Sequence, residues 1–211
     1  MKHRFLIVGS FFAALVAACA TIQRGSEYEQ ARNDLLYGDS TPALSLFERI
    51  AAADPNRLYF SKFPEGSWTY VGRAAYGANL LPRAQQALER ATSLHREDDM
   101  AKLYLGLTDA RLGNQERGLA NIENGMKGIH DWIEWANQAH RYTWGQWWDP
   151  NRQIRSAIER DLKLISQREY SWPELTRDGE WLGRRVEEEI VTASRDEQRN
   201  LNREGGGNRF P

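Results

Sequence analysis

The chain of 211 residues is 41% hydrophobic and 27% charged, and its formal net charge is −1. This is an ordinary balance for one globular domain or one small repeat array. It lacks the excess of basic residues typical of nucleic-acid-binding proteins, so we expect no nucleic-acid partner. Two features stand out: there is a single cysteine, and seven of the eight tryptophans lie at or beyond Trp132.

The first 18 residues have the pattern of a secretory signal peptide. Lys2 and Arg4 give the N-terminus a positive charge, and residues 5–18 are apolar apart from Ser10. A run of this length is too short to cross a bilayer as a helix, which needs about 20 residues. A positive start followed by a short apolar run and small residues is typical of a cleaved export signal.

The signal ends in a sequence that resembles a lipobox, Leu15-Val16-Ala17-Ala18-Cys19. The resemblance implies cleavage before Cys19 and a lipid anchor on its sulfur, with residues 19–25 as a short tether. By the sorting signal of enteric-type bacteria, Ala20 in place of Asp implies the periplasmic side of the outer membrane. An ordinary cleaved signal with a chance cysteine, or an uncleaved anchor, are the alternatives. Because Lys2 and Arg4 precede Cys19 and no acidic residue does, the net charge of −1 becomes −3 for the remaining chain.

Beyond the tether the sequence predicts helices that recur at a fixed spacing. A shift of 34 residues brings Val71-Gly72 onto Leu105-Gly106 and brings two further small residues onto small residues. A shift of 41 residues reveals an earlier copy, in which an insertion at residues 58–64 accounts for the extra length. Gly113-Asn114 is expected to separate two helices, and Asp54-Pro55 is expected to end one. The other matched positions are Ala84 with Gly118, Ala91 with Gly125, Ala43 with Ala84, and Phe47 with Leu88.

This pattern resembles the tetratricopeptide repeat, a 34-residue helical hairpin that stacks into arrays. The resemblance covers residues 24–57, 65–98 and 99–132, and implies an all-α fold: a short array of three hairpins within residues 26–132. A generic helical bundle is the alternative. Small residues such as Gly72 and Gly106 are expected where two helices cross.

The resemblance also implies a concave groove lined by the first helix of each hairpin. Three arginines among tyrosines and leucines would suit an acidic or carboxylate-ended segment of a partner protein. The alternative is that the groove is filled by the protein's own C-terminal helices. The groove residues implied are Tyr28, Arg32, Leu36, Thr69, Arg73, Tyr76, Leu103, Leu107 and Arg111.

Residues 133–200 depart from the repeat and are predicted to form a tryptophan-rich helical cap over the last open face of the array. Asp149-Pro150 is predicted to start a helix, whose apolar face holds Ile154, Ile158, Leu162 and Ile165. Residues 171–174 are predicted to start a short helix, and residues 178–199 to form the last one. The run Glu187-Glu188-Glu189 is interpreted as a solvated face, and residues 201–211 as a disordered tail.

An aromatic cluster marks the start of this cap. Aromatic rings fill protein cores, anchor protein interfaces and stack on sugars, and we favour the core interpretation here. The alternative is an aromatic binding site. Its members are Trp132, Trp135, Tyr142, Trp144, Trp147 and Trp148.

No motif in the sequence indicates catalysis. His95, His130 and His140 have no partners at metal-ligand spacing, and nucleophile and phosphate-loop motifs are absent. We therefore expect no metal, no cofactor and no enzymatic activity. The favoured function is a scaffold or adaptor lipoprotein that binds an envelope protein or peptide. A periplasmic component that binds a small molecule or glycan is the second candidate, and a cell-wall enzyme is a weaker third. A polar pocket beside the tryptophans would favour the second, and an open arginine-lined groove would favour the first.

Overall fold

The computed structural model describes residues 27–59 and 63–206, except for the side chains of residues 201 and 203–206. Within these ranges the fold is all-α, as predicted, apart from one two-stranded ribbon. None of the described helices is both long and apolar enough to cross a membrane. The predicted signal peptide, the lipidation site Cys19 and residues 20–26 lie outside the described ranges, as do residues 207–211.

Six helices form three hairpins, and the C-terminal part adds one 3-10 helix and two α-helices. The predicted insertion forms the ribbon, in which β1 (Leu58–Tyr59) pairs antiparallel with β2 (Glu65–Gly66). The helices in chain order are α1 (residues 27–36), α2 (Ser40–Ala53), α3 (Ser67–Gly77), α4 (Leu81–Leu94), α5 (Asp99–Arg111), α6 (Gln115–Ala139), the 3-10 helix (Trp144–Trp147), α7 (Gln153–Gln167) and α8 (Trp172–Gly206).

The three hairpins α1–α2, α3–α4 and α5–α6 are closed by the same turn. In each turn one residue has a positive φ: Gly38 (89°), Asn79 (60°) and Gly113 (91°). Glycine and asparagine adopt this left-handed conformation at low cost, which ends the first helix. The turns are spaced by 41 and then 34 residues, as the sequence repeat predicts. In each turn the backbone N–H of the residue after the left-handed one donates to the carbonyl oxygen five residues earlier. These hydrogen bonds join Asp39 to Asp34 (2.8 Å), Leu80 to Ala75 (2.9 Å) and Asn114 to Asp109 (2.8 Å).

Small residues lie where the helices of a hairpin cross, as expected. A Cβ atom added to Gly106 of α5 would lie 2.6 Å from both the carbonyl oxygen of Gly118 and the backbone nitrogen of Ile122 in α6. One added to Gly72 of α3 would lie 2.3 Å from Cγ of Leu88 in α4. The absence of side chains therefore lets each pair of helices pack closely.

The odd-numbered helices of the array all start at one end of it. Tyr28 near the start of α1 donates a hydrogen bond from its hydroxyl to that of Tyr70 in α3 (3.1 Å). The backbone N–H of Gly66, just before α3, donates to the carboxylate of Asp98, just before α5 (2.7 Å). The chain thus enters the array at the end where α3 and α5 also begin, which we call the entry end.

Helix α6 is longer than the repeat predicts and projects past the entry end. It contains 25 residues, against 14 in α4, and continues through Ala139 rather than ending near residue 132. Gly128 lies level with the start of α5, since an added Cβ there would meet the Asp99 carboxylate. About eleven further residues, or roughly 16 Å of helix at 1.5 Å per residue, extend beyond that point.

The predicted start of α7 at Asp149-Pro150 is three residues too early. The chain makes a turn in which Asp149 and Arg152 both have positive φ, and α7 begins at Gln153. The Asp149 carboxylate nevertheless caps α7, because it accepts hydrogen bonds from the backbone N–H groups of Ile154 and Arg155 (both 3.0 Å). The capping role is confirmed, although the helix boundary is wrong.

The two predicted C-terminal helices are one. Helix α8 runs without interruption for 35 residues and continues to Gly206, past the expected start of the tail at residue 201. Pro173 does not interrupt it, because proline is tolerated in the first turn of a helix. Gly179 and Gly183 do not end it either; they lie on its buried side.

Candidate functional site

Helix α8 fills the concave face of the array. A Cβ atom added to Gly179 would lie 2.9 Å from Leu107 of α5, and one added to Gly183 would lie 2.3 Å from the Tyr104 hydroxyl. The two glycines are one helical turn apart, so α8 packs closely across α5 along this side. The predicted groove residues Leu103 and Leu107 are fully buried. The groove is self-occupied, which is the alternative that the sequence left open.

A carboxylate held between two arginines fixes α8 in this position. We call Arg32, Arg73 and Glu187 the carboxylate clamp. Arg32 Nε of α1 donates to Oε1 of Glu187, and Arg73 Nη1 of α3 donates to its Oε2 (2.9 Å). Arg73 also donates to Glu65 Oε2 (2.7 Å) and to the carbonyl oxygen of Gly183 (3.1 Å). The array therefore binds an acidic helix through two of the three predicted arginines, and that helix is its own.

Arg73 has a second carboxyl partner besides Glu187. Burial raises the pKa of the Glu65 carboxyl, against the opposing attraction of the Arg73 guanidinium. Arg73 thus lies between Glu65 and Glu187, whereas Arg32 pairs with Glu187 and with the exposed Glu29.

The interpretation of the three consecutive glutamates as a solvated face is wrong. Glu187 and Glu189 are each only 1% exposed, and Glu188 alone faces solvent. Consecutive residues point to different sides of a helix, but α8 is covered on two of those sides. Glu187 faces the array, and Glu189 accepts a hydrogen bond from the backbone N–H of Asp149 (2.8 Å).

The other predicted groove residues on α1 and α3 are engaged within the fold. Tyr28 stacks on Tyr59 with ring centroids 4.1 Å apart. Thr69 donates to the buried carboxylate of Asp98, whose pKa is raised by burial. Leu36 is half-buried near the end of α1.

The predicted residues at the end of the groove lie near its rim. Tyr76 donates to Glu180 of α8 (2.7 Å). Arg111 is exposed; it donates to Asn79 (2.7 Å) and stacks on the Tyr76 ring (4.7 Å). Arg111 and Arg73 therefore do not form the pair of free cations that was expected on one open face.

The aromatic cluster divides into a buried part and an exposed part. Trp148 is fully buried, and Trp132 packs edge-on against it with centroids 4.6 Å apart. Trp147 is partly buried and packs against the core. By contrast, Trp135 is 51% exposed and Tyr142 is 80% exposed. The core interpretation holds for Trp148 but not for these two residues.

The exposed rings of Trp135 and Tyr142 lie at the projecting end of α6 and in the loop that follows, and the partly buried Trp144 lies in the 3-10 helix after that loop. His140 stacks on Trp144 with centroids 4.4 Å apart, and Trp135 lies 6.1 Å from Trp144. We call Trp135, His140, Tyr142 and Trp144 the aromatic tip.

A second concavity lies on the other side of α5, between α4 and α6. Lys102 and Leu105, in its floor, lie on the side of α5 opposite Tyr104 and Leu107, which contact α8. Its volume is about 720 Å³. We call it the polar cleft, and its lining residues are Pro64, Thr92, Arg96, Glu97, Asp99, Lys102, Leu105, Asn121, Asn124, Lys127, Gly128, Asp131 and Trp132.

Three polar side chains of the polar cleft are available for a ligand. Lys102 is paired with Asp99 (2.7 Å) and Lys127 with Asp131. Arg96, Glu97 and Asn124 are exposed, and none of them forms an ion pair or side-chain hydrogen bond with any residue in the described ranges. The cleft thus offers one free guanidinium, one free carboxylate and one free amide, with the Trp132 ring in its wall.

These features define an all-α protein of stacked helical hairpins with a self-filled concave face. Across residues 27–59 and 63–206, no group of three or more His, Cys, Asp and Glu residues is placed to hold a metal ion. No family model, no curated protein and no solved structure matches the chain.

Sequence reasoning missed Glu65 as a partner of Arg73. Glu65 lies beside the insertion and carries no local signal of burial. The position of α8 did have a signal: Gly179 and Gly183 are four residues apart in an otherwise helical segment. Small residues at that spacing allow close helix packing, just as Gly72 and Gly106 do within the hairpins.

Proposed function

We propose that the protein is a tetratricopeptide-like lipoprotein, anchored through Cys19 on the periplasmic side of the outer membrane, that acts as a non-catalytic adaptor for an envelope protein. The arginine-lined groove that was expected to bind the partner is filled by α8, so the observation that carries this proposal is the polar cleft, which remains open on the other side of α5. Its free arginine and amide suit an extended protein segment, since an amide pairs with backbone groups and a guanidinium with a carboxylate. Helix α8, which packs across the concave face, fixes the relative positions of the hairpins that form the cleft.

The lipid anchor is tested by replacing the cysteine. Cys19→Ser should abolish incorporation of a fatty-acid analogue, because the serine hydroxyl cannot form the thioether bond to lipid. The measurement is metabolic labelling of the expressed protein followed by membrane fractionation. Absence of label from the wild-type protein would overturn the anchor, and recovery of labelled protein in the inner membrane would overturn the outer-membrane assignment.

The polar cleft is tested by reversing the charge of its free arginine. Arg96→Glu should reduce the recovery of cross-linked envelope partners by about 10-fold or more, since a hydrogen bond to a charged group contributes about 1.5–3 kcal/mol. Stability should change by less than about 0.5 kcal/mol, because the side chain is exposed. Arg184→Glu is the matched control, as Arg184 is an exposed arginine of α8 outside the cleft. Equal recovery with both variants and the wild type would show that the cleft is not the binding face.

Glycan binding is the second candidate, and the Trp132 ring in the cleft wall favours it. Aromatic faces stack on sugar rings, and Asn121 and Asn124 lie in the same lining. The two candidates differ in their response to soluble peptidoglycan fragments. A saturable change in tryptophan fluorescence that Asn124→Ala weakens would support glycan binding, whereas partner recovery without any such change supports the adaptor.

A further inference from the structure

The aromatic tip and the entry point of the chain lie at the same end of the molecule. The entry end is where α1, α3 and α5 begin, and α6 projects past it. Phe63, just before α3, contacts Trp132 of α6 with ring centroids 4.8 Å apart. Trp132 in turn lies 6.4 Å from Trp135 and 6.1 Å from Trp144. A continuous set of rings therefore leads from the entry end to the exposed tip.

The length of the preceding chain limits how far this end can be from an anchor at Cys19. The first described residue of α1 is residue 27, eight residues after Cys19. At about 3.3–3.6 Å per residue, the chain between them spans at most about 29 Å. A protein anchored at Cys19 thus has its entry end within that distance of the lipid, and the tip projects from the same end.

We propose that the aromatic tip inserts into the headgroup region of the membrane that carries the lipid anchor. This inference rests on the proposed lipidation. The partner is the bilayer interface, because indole and phenol rings combine an apolar body with a polar group and concentrate at that depth in membranes. The rings of Trp135 and Tyr142 have this character and are at least half exposed.

The size of the tip also favours a membrane over a protein. A stable protein interface buries about 800 Å² on each partner, more than four side chains provide. A contact with the bilayer needs far less affinity, since the anchor makes it intramolecular and raises the effective concentration of the surface to about the millimolar range. The tip therefore serves as a second, weak contact that orients the array on the membrane.

The test uses the full lipidated protein in phosphatidylcholine vesicles whose acyl chains carry bromine near the headgroup. Bromine quenches tryptophan fluorescence at short range, so the wild-type emission should be quenched. Trp135→Phe combined with Trp144→Phe should remove a large part of the quenching, because the neighbouring Trp132 and Trp147 are partly buried and Trp148 is fully buried. Trp172→Phe is the control and should leave quenching unchanged, since Trp172 lines a concavity with Leu119, near the start of α6 and far from the tip.

Flotation of the vesicles separates the two proposals. Two outcomes overturn this inference alone: the protein floats with the vesicles but its tryptophans are not quenched, or the wild type and the tip variant are quenched equally. In both cases the protein is anchored without inserting its tip. Protein that does not float lacks the anchor, which overturns both the anchor and the inference. Flotation with quenching that depends on the tip residues supports both.

Discussion

Glu187→Ala should lower the free energy of unfolding by about 3–5 kcal/mol, the usual cost of removing one partner from a buried ion pair. The substitution removes the buried counter-charge of Arg32 and one of the two carboxyl partners of Arg73. Glu65 compensates only in part, because it contacts Arg73 but not Arg32. Urea or thermal unfolding followed by far-ultraviolet circular dichroism measures the change.

The neighbouring glutamate provides a matched control for this prediction. Glu188 is on the same helix but its side chain is 53% exposed, and its nearest cation is Arg185 at 3.4 Å. Glu188→Ala should therefore change stability by less than about 0.5 kcal/mol. Equal effects of the two substitutions would mean that α8 is not held in the groove through Glu187.

Gly106→Leu should cost about 3 kcal/mol or more, at the upper end of the range for overpacked cores. The first atom of any added side chain would meet the backbones of Gly118 and Ile122 at 2.6 Å. Backbone atoms cannot rotate away, so α5 and α6 must separate to accommodate the substitution. The midpoint of thermal unfolding should fall accordingly.

An exposed position on the partner helix serves as the control for Gly106. Ala120 of α6 faces solvent, so Ala120→Leu adds similar bulk without a clash and should leave stability within about 0.5 kcal/mol of the wild type. An unchanged or raised melting temperature for Gly106→Leu would contradict the helix crossing at this position.

The repeat could be predicted from the sequence because its signals are local. Each hairpin needs a left-handed residue at its turn, such as Gly113, and a small residue where its two helices cross, such as Gly106. Both requirements arise within a single hairpin. Both recur at the predicted spacing. The start of α7 was misplaced because Asp149 caps it from across a turn, a geometry that a sequence pattern does not distinguish from an adjacent cap.

The filling of the groove could not be predicted in the same way. Glu187 pairs with Arg32, which lies 155 positions earlier in the chain, and with Arg73, which lies 114 positions earlier. No local sequence pattern indicates contacts over such separations. Three consecutive glutamates are usually solvated, because burying a carboxylate requires partners that the sequence does not identify. Two of the three predicted arginines, Arg32 and Arg73, bind a carboxylate, but that carboxylate is within the chain rather than outside it.

The carboxylate clamp changes the order in which the molecule can complete its folding. In an open repeat array each unit contacts only its neighbours, so folding proceeds stepwise and the first hairpin can form as soon as it is made. Here α1 and α3 each contribute a buried cation that pairs with Glu187 of the last helix. Such contacts raise contact order and couple the two ends of the chain into one cooperative transition. The N-terminal hairpins thus remain incomplete until α8 has emerged, and the array closes in a single late step.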